Sequence, residues 1–429
     1  MSQKKIFIVS QSEITHVVGG AITITINMCN FLVKAGYEVY CICSDEINGK
    51  PQQIDEKVNF INLAYKYRGQ SFFKAINKLA DDVKPDLFIF FFSFLYESAQ
   101  LSAGYINIPK VIMFHSRPDF YFQDNCDKLK ELYSCDKNII SQILFDSYKS
   151  LLPDFIRNRN VITIPNGVKT IDKTINTDIE HKKIIYLSRI DCWKGLEFLI
   201  NSFKLIAQKY PDWSIDIYGQ SQPEEYLNEL KCLVKKLKLE KQINFQGITR
   251  NPIETMMNYD FCVFPSYFEG FPMGLIESLS VGLPCIGLEE CSGVNEIISD
   301  GENGFLAQED YADFSQKIEA LIKDKELREK MSQKAKQTAD KYDKKQIDEK
   351  WLSVIKNLLN NEAISIEQTP DVKGKKLFPL AKIQQMYKQQ HKKYIKPWDY
   401  IFSIKNSQNK KRKIITVLGL QIKFKRKRK

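Results

Sequence analysis

Residues 86–96, "DLFIFFFSFLY", are apolar at nearly every position. Eleven residues are too few to cross a bilayer, which takes about 20 residues as a helix. Their length suits a β-strand, and a strand apolar throughout is buried on both faces of a parallel sheet. That run fits an α/β architecture. The neighbouring sequence agrees. "KKIFIVS" (4–10) reads as a strand, "VVGGA" (17–21) as a glycine turn, and "ITITINMCNFLVKAG" (22–36) as a helix closed by Gly36. "YEVYCICS" (37–44) is the next strand, so the chain opens as the first unit of a doubly wound sheet.

The alternation continues through strands at 58–64, 85–92 and 109–116, a helix near 71–83 and another helix between the last two strands. Residues 137–153 read as a strand running into a helix, and 161–168 as a last strand and turn. After the polar stretch 169–182 a second series begins with "KIIYLSRI" (183–190) and a helix over 196–211. Strands at 213–220, 243–249 and 260–266 follow, with helices over 223–239 and near 252–258. "PCIGLE" (284–289), "GVNEIIS" (293–299) and "GFLAQ" (304–308) come next, and then helices from 311 to 360. The pattern predicts two Rossmann-like domains, 1–168 and 183–342, joined by a linker at 169–182. A closing helix over 343–360 and a tail over 361–429 complete the chain, whose 429 residues fit more than one domain. Ligands of open parallel sheets bind beyond the carboxyl ends of the strands, so the chemistry is sought in those loops.

Charge divides the chain unevenly. Residues 373–429 hold 19 Lys and Arg against one acid, Asp399, a net +18; residues 1–372 carry 44 bases against 51 acids, a net −7. Tyr, Trp, Phe, Ile and Leu are interleaved with the basic residues of the tail, a composition that suits an anionic membrane surface. A solvated, disordered tail is the plainer alternative. A nucleic-acid partner is not expected, because the body is acidic. The N-terminal apolar run of four residues is too short for a signal-peptide core, and the ten cysteines show no metal spacing. Cys41 and Cys43 sit close together on one strand and are expected to face opposite ways. A reduced, cytoplasmic chain is the expectation.

Several residues fall where chemistry is expected. Gly19 and Gly20 lie between a strand and a helix, where a backbone without Cβ lets a phosphate approach, or merely turns tightly. His115 closes an apolar strand at the mouth of the presumed cleft, as a ligand-facing or a structural histidine. Arg189 and Lys194 flank "IDCWK" after the first strand of the second series. They suit a diphosphate, or are two solvated surface charges. In "SYFEGFPMGLIESLS" (266–280), Pro272, Leu275, Ile276, Leu279 and Leu283 keep the spacing of a buried helical stripe. Glu277 lies about 100° around from that stripe and Glu269 in the loop before it. Two carboxylates there suit a polyhydroxy ligand, since one carboxylate accepts from two neighbouring hydroxyls; a capping acid and a solvated acid are the alternative.

Taken together, "VVGGA", His115, "IPNGV" (164–168), "SRIDCWKG" (188–195), "IYGQ" (217–220), "INFQGIT" (243–249) and "EGFPMGLIESLSVGLPCIG" (269–287) resemble the retaining glycosyltransferases of family 4, which have the GT-B fold. The resemblance covers about residues 4–360. It implies that Arg189 and Lys194 hold the diphosphate of a nucleotide-sugar donor, a UDP-sugar by family habit. Glu277 resembles the ligand of the ribose hydroxyls, and Glu269 the residue beside the donor sugar. Backbone N–H groups from Phe271 through Met273 and Gly274 to Leu275 are expected near sugar and phosphate, with Gly270 and Gly274 keeping the backbone close. Gly247 and Ile248 resemble the frame of the base, Gly19 and Gly20 the loop that closes over the phosphates, and His115 the histidine near the reacting centre. The resemblance implies a lipid-linked saccharide, lipopolysaccharide or capsule acceptor at the inner face of the membrane, reached through residues 373–429. No cofactor and no metal are expected, and "Asp-x-Asp" is absent. A catalytically silent subunit of the same fold is the alternative.

Overall fold

The computed structural model of the protein describes residues 3–10, 20–43, 50–51, 53–63, 70–91, 107–122, 126–172, 174–221, 223–362, 375–394, 402–406, 412–417 and 420–425. Two parallel sheets organise it. The first contains β1 (Lys5–Ser10), β2 (Glu38–Cys43), β3 (Asn59–Asn62), β4 (Leu87–Phe91), β5 (Lys110–Met113), β6 (Ile139–Ile143) and β7 (Val161–Thr163), in the order β3-β2-β1-β4-β5-β6-β7. The second contains β8 (Lys183–Leu187), β9 (Ser214–Tyr218), β10 (Ile243–Gly247), β11 (Phe261–Phe264), β12 (Cys285–Leu288) and β13 (Gly304–Ala307), in the order β10-β9-β8-β11-β12-β13. Every residue of β4 is buried, as a strand covered on both faces must be. Residues 92–96 of that run, and the helix expected after it, lie outside the described residues.

In each sheet the strand order reverses beside its first strand: β1 lies between β2 and β4, and β8 between β9 and β11. A crevice opens at such a switch point, beyond the carboxyl ends of the strands. The segment that leaves β8 is bound to the one that leaves β9. Ser188 N–H donates to the Tyr218 carbonyl (3.1 Å) and Ile190 N–H to that of Gln220 (2.9 Å).

The chain passes from the first domain to the second and back at one place. Val168 pairs with Asp343 in a bridge, its N–H donating to Tyr342 O (2.9 Å) and its carbonyl accepting from Lys344 N–H (2.8 Å). The helix Lys344–Leu359 then buries Ile347, Trp351 and Ile355 among Ile6, Ile8, Val39 and Leu87 of the first sheet.

Three expectations need correction. Cys41 and Cys43 do not face opposite ways. They stand two residues apart on β2, and side chains on a strand repeat every second residue. Both join the cluster that holds Cys29, whereas Ile42 between them lies in the other cluster. The helix expected over 196–211 ends at Lys204. Finally, residues 375–386 are not part of a detached tail: Phe378 and Ile383 are buried in the main core, with Met386 packed against it. A helix at Cys126–Cys135 is not foreseen by the sequence pattern. Leu132 and Tyr133 are its buried apolar residues among those whose burial is described, too few to print a periodic stripe.

Beyond these, β14 (Phe402–Asn406), β15 (Arg412–Val417) and β16 (Leu420–Lys425) form an antiparallel meander. No helix among the described residues is long and apolar enough to cross a membrane.

Candidate active site

The turn that follows β8 sets the first half of the site. Asp191 precedes a short 3-10 turn, Cys192–Lys194, whose Lys194 N–H returns to the Asp191 carbonyl (3.0 Å). The turn closes at Gly195 with φ +68°, and a Cβ there would stand 2.0 Å from the Pro265 carbonyl oxygen. A glycine is therefore required. This tight turn directs Lys194 inward, where its Nζ meets Glu269 Oε1 at 2.6 Å with both side chains almost buried. Arg189 behaves differently. Its side chain is 49% exposed and its Nη2 stands 3.6 Å from Asp191 Oδ2. The two cations expected side by side are thus unequal: one is ion-paired and sheltered, the other reaches solvent.

The second half comes from the loop and helix after β11. Helix Met273–Ser280 buries Leu275, Ile276 and Leu279, and Leu283 beyond it is buried too, so the predicted stripe is the core-facing one. At Gly274 a Cβ would lie 2.6 Å from Leu187 O, which seats the first turn of the helix against the end of β8. Glu269 is held by its own backbone, because Ser292 Oγ donates to its carbonyl at 2.7 Å. Glu277 is half-buried and pairs with no cation among the described residues. Burial raises its carboxyl to about 7. Asp191 is likewise buried, and desolvation lifts its pKa while Lys194 and Arg189 pull it back. Its Oδ1 has no hydrogen-bond partner among the described residues.

The first domain closes directly on this loop. Tyr148 Oη donates to the Gly270 carbonyl (3.1 Å), and Phe145 stacks on Phe271 with ring centres 5.4 Å apart. Phe120 meets Phe268 at 5.2 Å. A Cβ at Gly270 would fall 2.0 Å from the carbonyl oxygen of His115, so this approach needs glycine. Ser147 Oγ donates to Glu296 Oε1 across the same junction (2.7 Å). His115 lies two residues beyond β5, stacked on Phe91 at 4.9 Å. Both its ring nitrogens are buried without a partner among the described residues. Burial lowers its pKa to about 4, so the imidazole is neutral at pH 7.

The remaining sequence candidates spread around this centre. Gly247 ends β10 with φ +74°, and Ile248 after it is an exposed apolar residue, 57% open. Met273 is half-buried at the start of its helix. Gly20 begins the helix Gly20–Lys34, and Gly19 lies outside the described residues. The structure brings together His115, Lys194, Glu269 and Gly270. Sequence reasoning missed Asp191, Tyr148 and Ser147. Asp191 carried a signal, an acid just ahead of a helical turn. Among the described residues no cluster of three or more His, Cys, Asp or Glu is arranged to hold a metal ion.

Comparison with known proteins fits this geometry. The family model described as "Glycosyl transferases group 1" matches residues 168–338, and "Glycosyl transferase 4-like" matches residues 13–147. An uncharacterized glycosyltransferase of Haemophilus influenzae is 29% identical over 350 residues, 79% of this chain and 96% of that one. The N-acetylgalactosamine-N,N'-diacetylbacillosaminyl-diphospho-undecaprenol 4-alpha-N-acetylgalactosaminyltransferase of Campylobacter jejuni is 30% identical over 190 residues, 44% of this chain and half of that one. The solved structure of Anabaena Alr3699/HepE in complex with UDP and glucose superposes with a TM-score of 0.67 at 19% identity, covering 83% of this chain and 100% of that one. One glycosyltransferase model on each sheet and the two-sheet architecture with its shared junction together establish that this chain belongs to the glycosyltransferases of the GT-B fold.

Proposed function

We propose that the enzyme moves a sugar, with retention of configuration and without a metal, from a UDP-sugar to a lipid-linked saccharide or surface polysaccharide. The observation that carries this reading is the sheltered Lys194–Glu269 pair beside a solvent-reaching Arg189, at the switch point of the second sheet. Breaking a sugar–phosphate bond leaves negative charge on the diphosphate and positive character at the anomeric carbon. Arg189 and Lys194 supply fixed positive charge to the leaving group, held in place before the reaction by the Asp191–Gly195 turn. Glu269 accepts from the sugar hydroxyls and Glu277 from the ribose hydroxyls. The acceptor hydroxyl attacks the face the diphosphate is leaving. Its oxygen bonds to the anomeric carbon as the carbon–oxygen bond to phosphate breaks, and its proton passes to the departing phosphate oxygen. A neutral His115 lines the reacting centre as a hydrogen-bonding group rather than a cation.

Two relatives support the choice of substrates. The Anabaena protein was solved in complex with UDP and glucose, and the Campylobacter enzyme is named for an undecaprenol-linked acceptor. The acceptor reading also draws on the C-terminal end. Residues 402–429 hold eleven Lys and Arg and no acid. In the meander, Ile404, Ile415 and Ile422 are cross-strand partners in one set of positions, and Arg412 and Lys425 in the alternate set. Such alternation suits an anionic lipid surface at the cytoplasmic face.

A thermal-shift screen of nucleotide sugars tests the donor, since a ligand of the native state raises Tm with occupancy. A UDP-sugar is expected to raise it, and membrane extract is expected to trigger UDP release. A screen in which nothing raises Tm, with no UDP release, would assign the chain to a silent subunit. Deleting residues 395–429 is expected to weaken binding to phosphatidylserine vesicles while donor hydrolysis persists.

A further inference from the structure

The family model of the second domain ends at residue 338, and the helix that returns to the first sheet ends at Leu359. Residues 375–386 lie beyond both, yet they are tied to each domain at once. Phe378 is 2% exposed. Its N–H donates to the Glu290 carbonyl of the second domain (2.9 Å), and its own carbonyl accepts from Arg117 Nη1 of the first (2.8 Å). Arg117 is itself buried, and the rest of its fork grips Asp119 through Nε (2.8 Å) and Nη2 (2.6 Å). Three donors in one plane are what a guanidinium offers and an ammonium does not.

We infer that residues 375–386 form a strap that positions Lys194, with Phe378 and Ile383 as its anchors and Arg117 as its fastening to the first domain. This goes beyond the proposed function but rests on Lys194 serving the donor diphosphate. Phe378 packs its ring on Tyr267 (5.3 Å), and Tyr267 N–H donates to the Trp193 carbonyl (2.8 Å), one residue before Lys194. The helix Leu380–Tyr394 packs on the Cys192–Lys194 turn itself, where Cys192 Sγ reaches the Met386 carbonyl at 3.7 Å. Lys382 lies over both aromatic rings, 4.6 Å from Phe378 and 5.1 Å from Tyr267. Charge steers the strap into place: Lys376 pairs with Glu290, Lys382 with Glu309, and Lys375 with Glu296 (3.6 Å). The Lys194 turn is three residues long and its Cys192 is only partly buried, and the helix of the strap packs against it.

Hydrogen exchange on the full-length protein tests this. In Phe378→Ala, exchange at residues 188–196 is expected to rise about tenfold as local opening becomes easier, with residues 311–340 unchanged. Phe378→Leu, which keeps apolar volume, is expected to restore most of the protection. Arg117→Lys is expected to raise exchange at 375–386 and at 188–196, and it serves alone if Phe378→Ala does not fold. UDP affinity by calorimetry is expected to fall in step with exchange. Unchanged exchange at 188–196 in the folded variants overturns the strap. Absence of UDP binding by the unmodified protein overturns the donor reading and leaves the exchange result to judge the strap.

Discussion

Lys110–Asp136 and Lys194–Glu269 are the same chemistry at opposite edges of parallel sheets. Lys110 opens β5 at the amino edge, and its Nζ meets Asp136 Oδ2 at 2.7 Å with each side chain 1% exposed. Lys110 also donates to the Ile108 carbonyl (2.8 Å), while Asp136 accepts the Asn138 N–H (2.9 Å) and its carbonyl takes Arg159 Nη1 (3.2 Å). Burial lowers the Lys110 pKa, and Asp136 works against that shift. Lys194 and Glu269 sit at the carboxyl edge, 7% and 11% exposed. Asp191 Oδ1 beside them, and both ring nitrogens of His115, whose backbone carbonyl abuts Gly270, are without partners among the described residues. The amino-edge pair is sealed in protein, Asp136 Oδ2 meeting only its ion pair with Lys110 among the described residues. The carboxyl-edge pair is less deeply buried and has the unpartnered Asp191 Oδ1 beside it, which is what a ligand needs.

The sharpest way to break the comparison is to delete one lysine at each edge. Lys110→Ala leaves Asp136 buried and unpaired, and is expected to cost about 3–5 kcal/mol in urea unfolding. UDP affinity of the folded fraction should stay as it was. Lys194→Ala is expected to lower turnover about 10²–10³-fold through lost transition-state charge stabilisation, with the smaller stability loss of the two. Equal stability losses and equal activity losses would erase the distinction between the edges.

Two titrations sharpen it further. His115 binds fewer protons folded than unfolded between pH 6.5 and about 4, so stability falls as pH drops through that window. At pH 5 this contributes about 2 kcal/mol of destabilisation relative to pH 7.5. His115→Phe, which keeps the stack on Phe91, is expected to remove that slope from urea melts. The smallest effect concerns Glu277. With its carboxyl at about 7 and the ionised form accepting from ribose, UDP affinity rises as pH rises from 6 to 8, about tenfold. Glu277→Gln should flatten the calorimetric profile.

The alternation of strands and helices was legible because burial on both sheet faces leaves unbroken apolar runs, as in β4. The stripe Leu275, Ile276, Leu279, Leu283 was legible for the same reason, in a different period. What sequence could not print was who meets whom. Lys194 and Glu269 lie 75 residues apart, on loops after different strands, and nothing local announces their pairing. Sequence placed Arg189 with Lys194 as equals, and only the Gly195 turn separates their fates. The strap was hidden by composition: two buried apolar anchors, Phe378 and Ile383, sit in a segment whose charge reads as a solvated tail.

The bridge between Val168 and Asp343 carries one more consequence. Because the chain leaves the first domain and re-enters it at adjacent backbone segments, residues 169–342 are topologically a cassette plugged into a host. Both leads of the cassette meet at one socket. A host that keeps Gly167, tight against Lys344, can accept a different cassette without rerouting its own chain. A traded half bearing Lys194, Glu269 and Glu277 would still have to meet the half bearing His115 at the Tyr148, Phe145 and Ser147 contacts, and at the gap beside Gly270, too narrow for a methyl group.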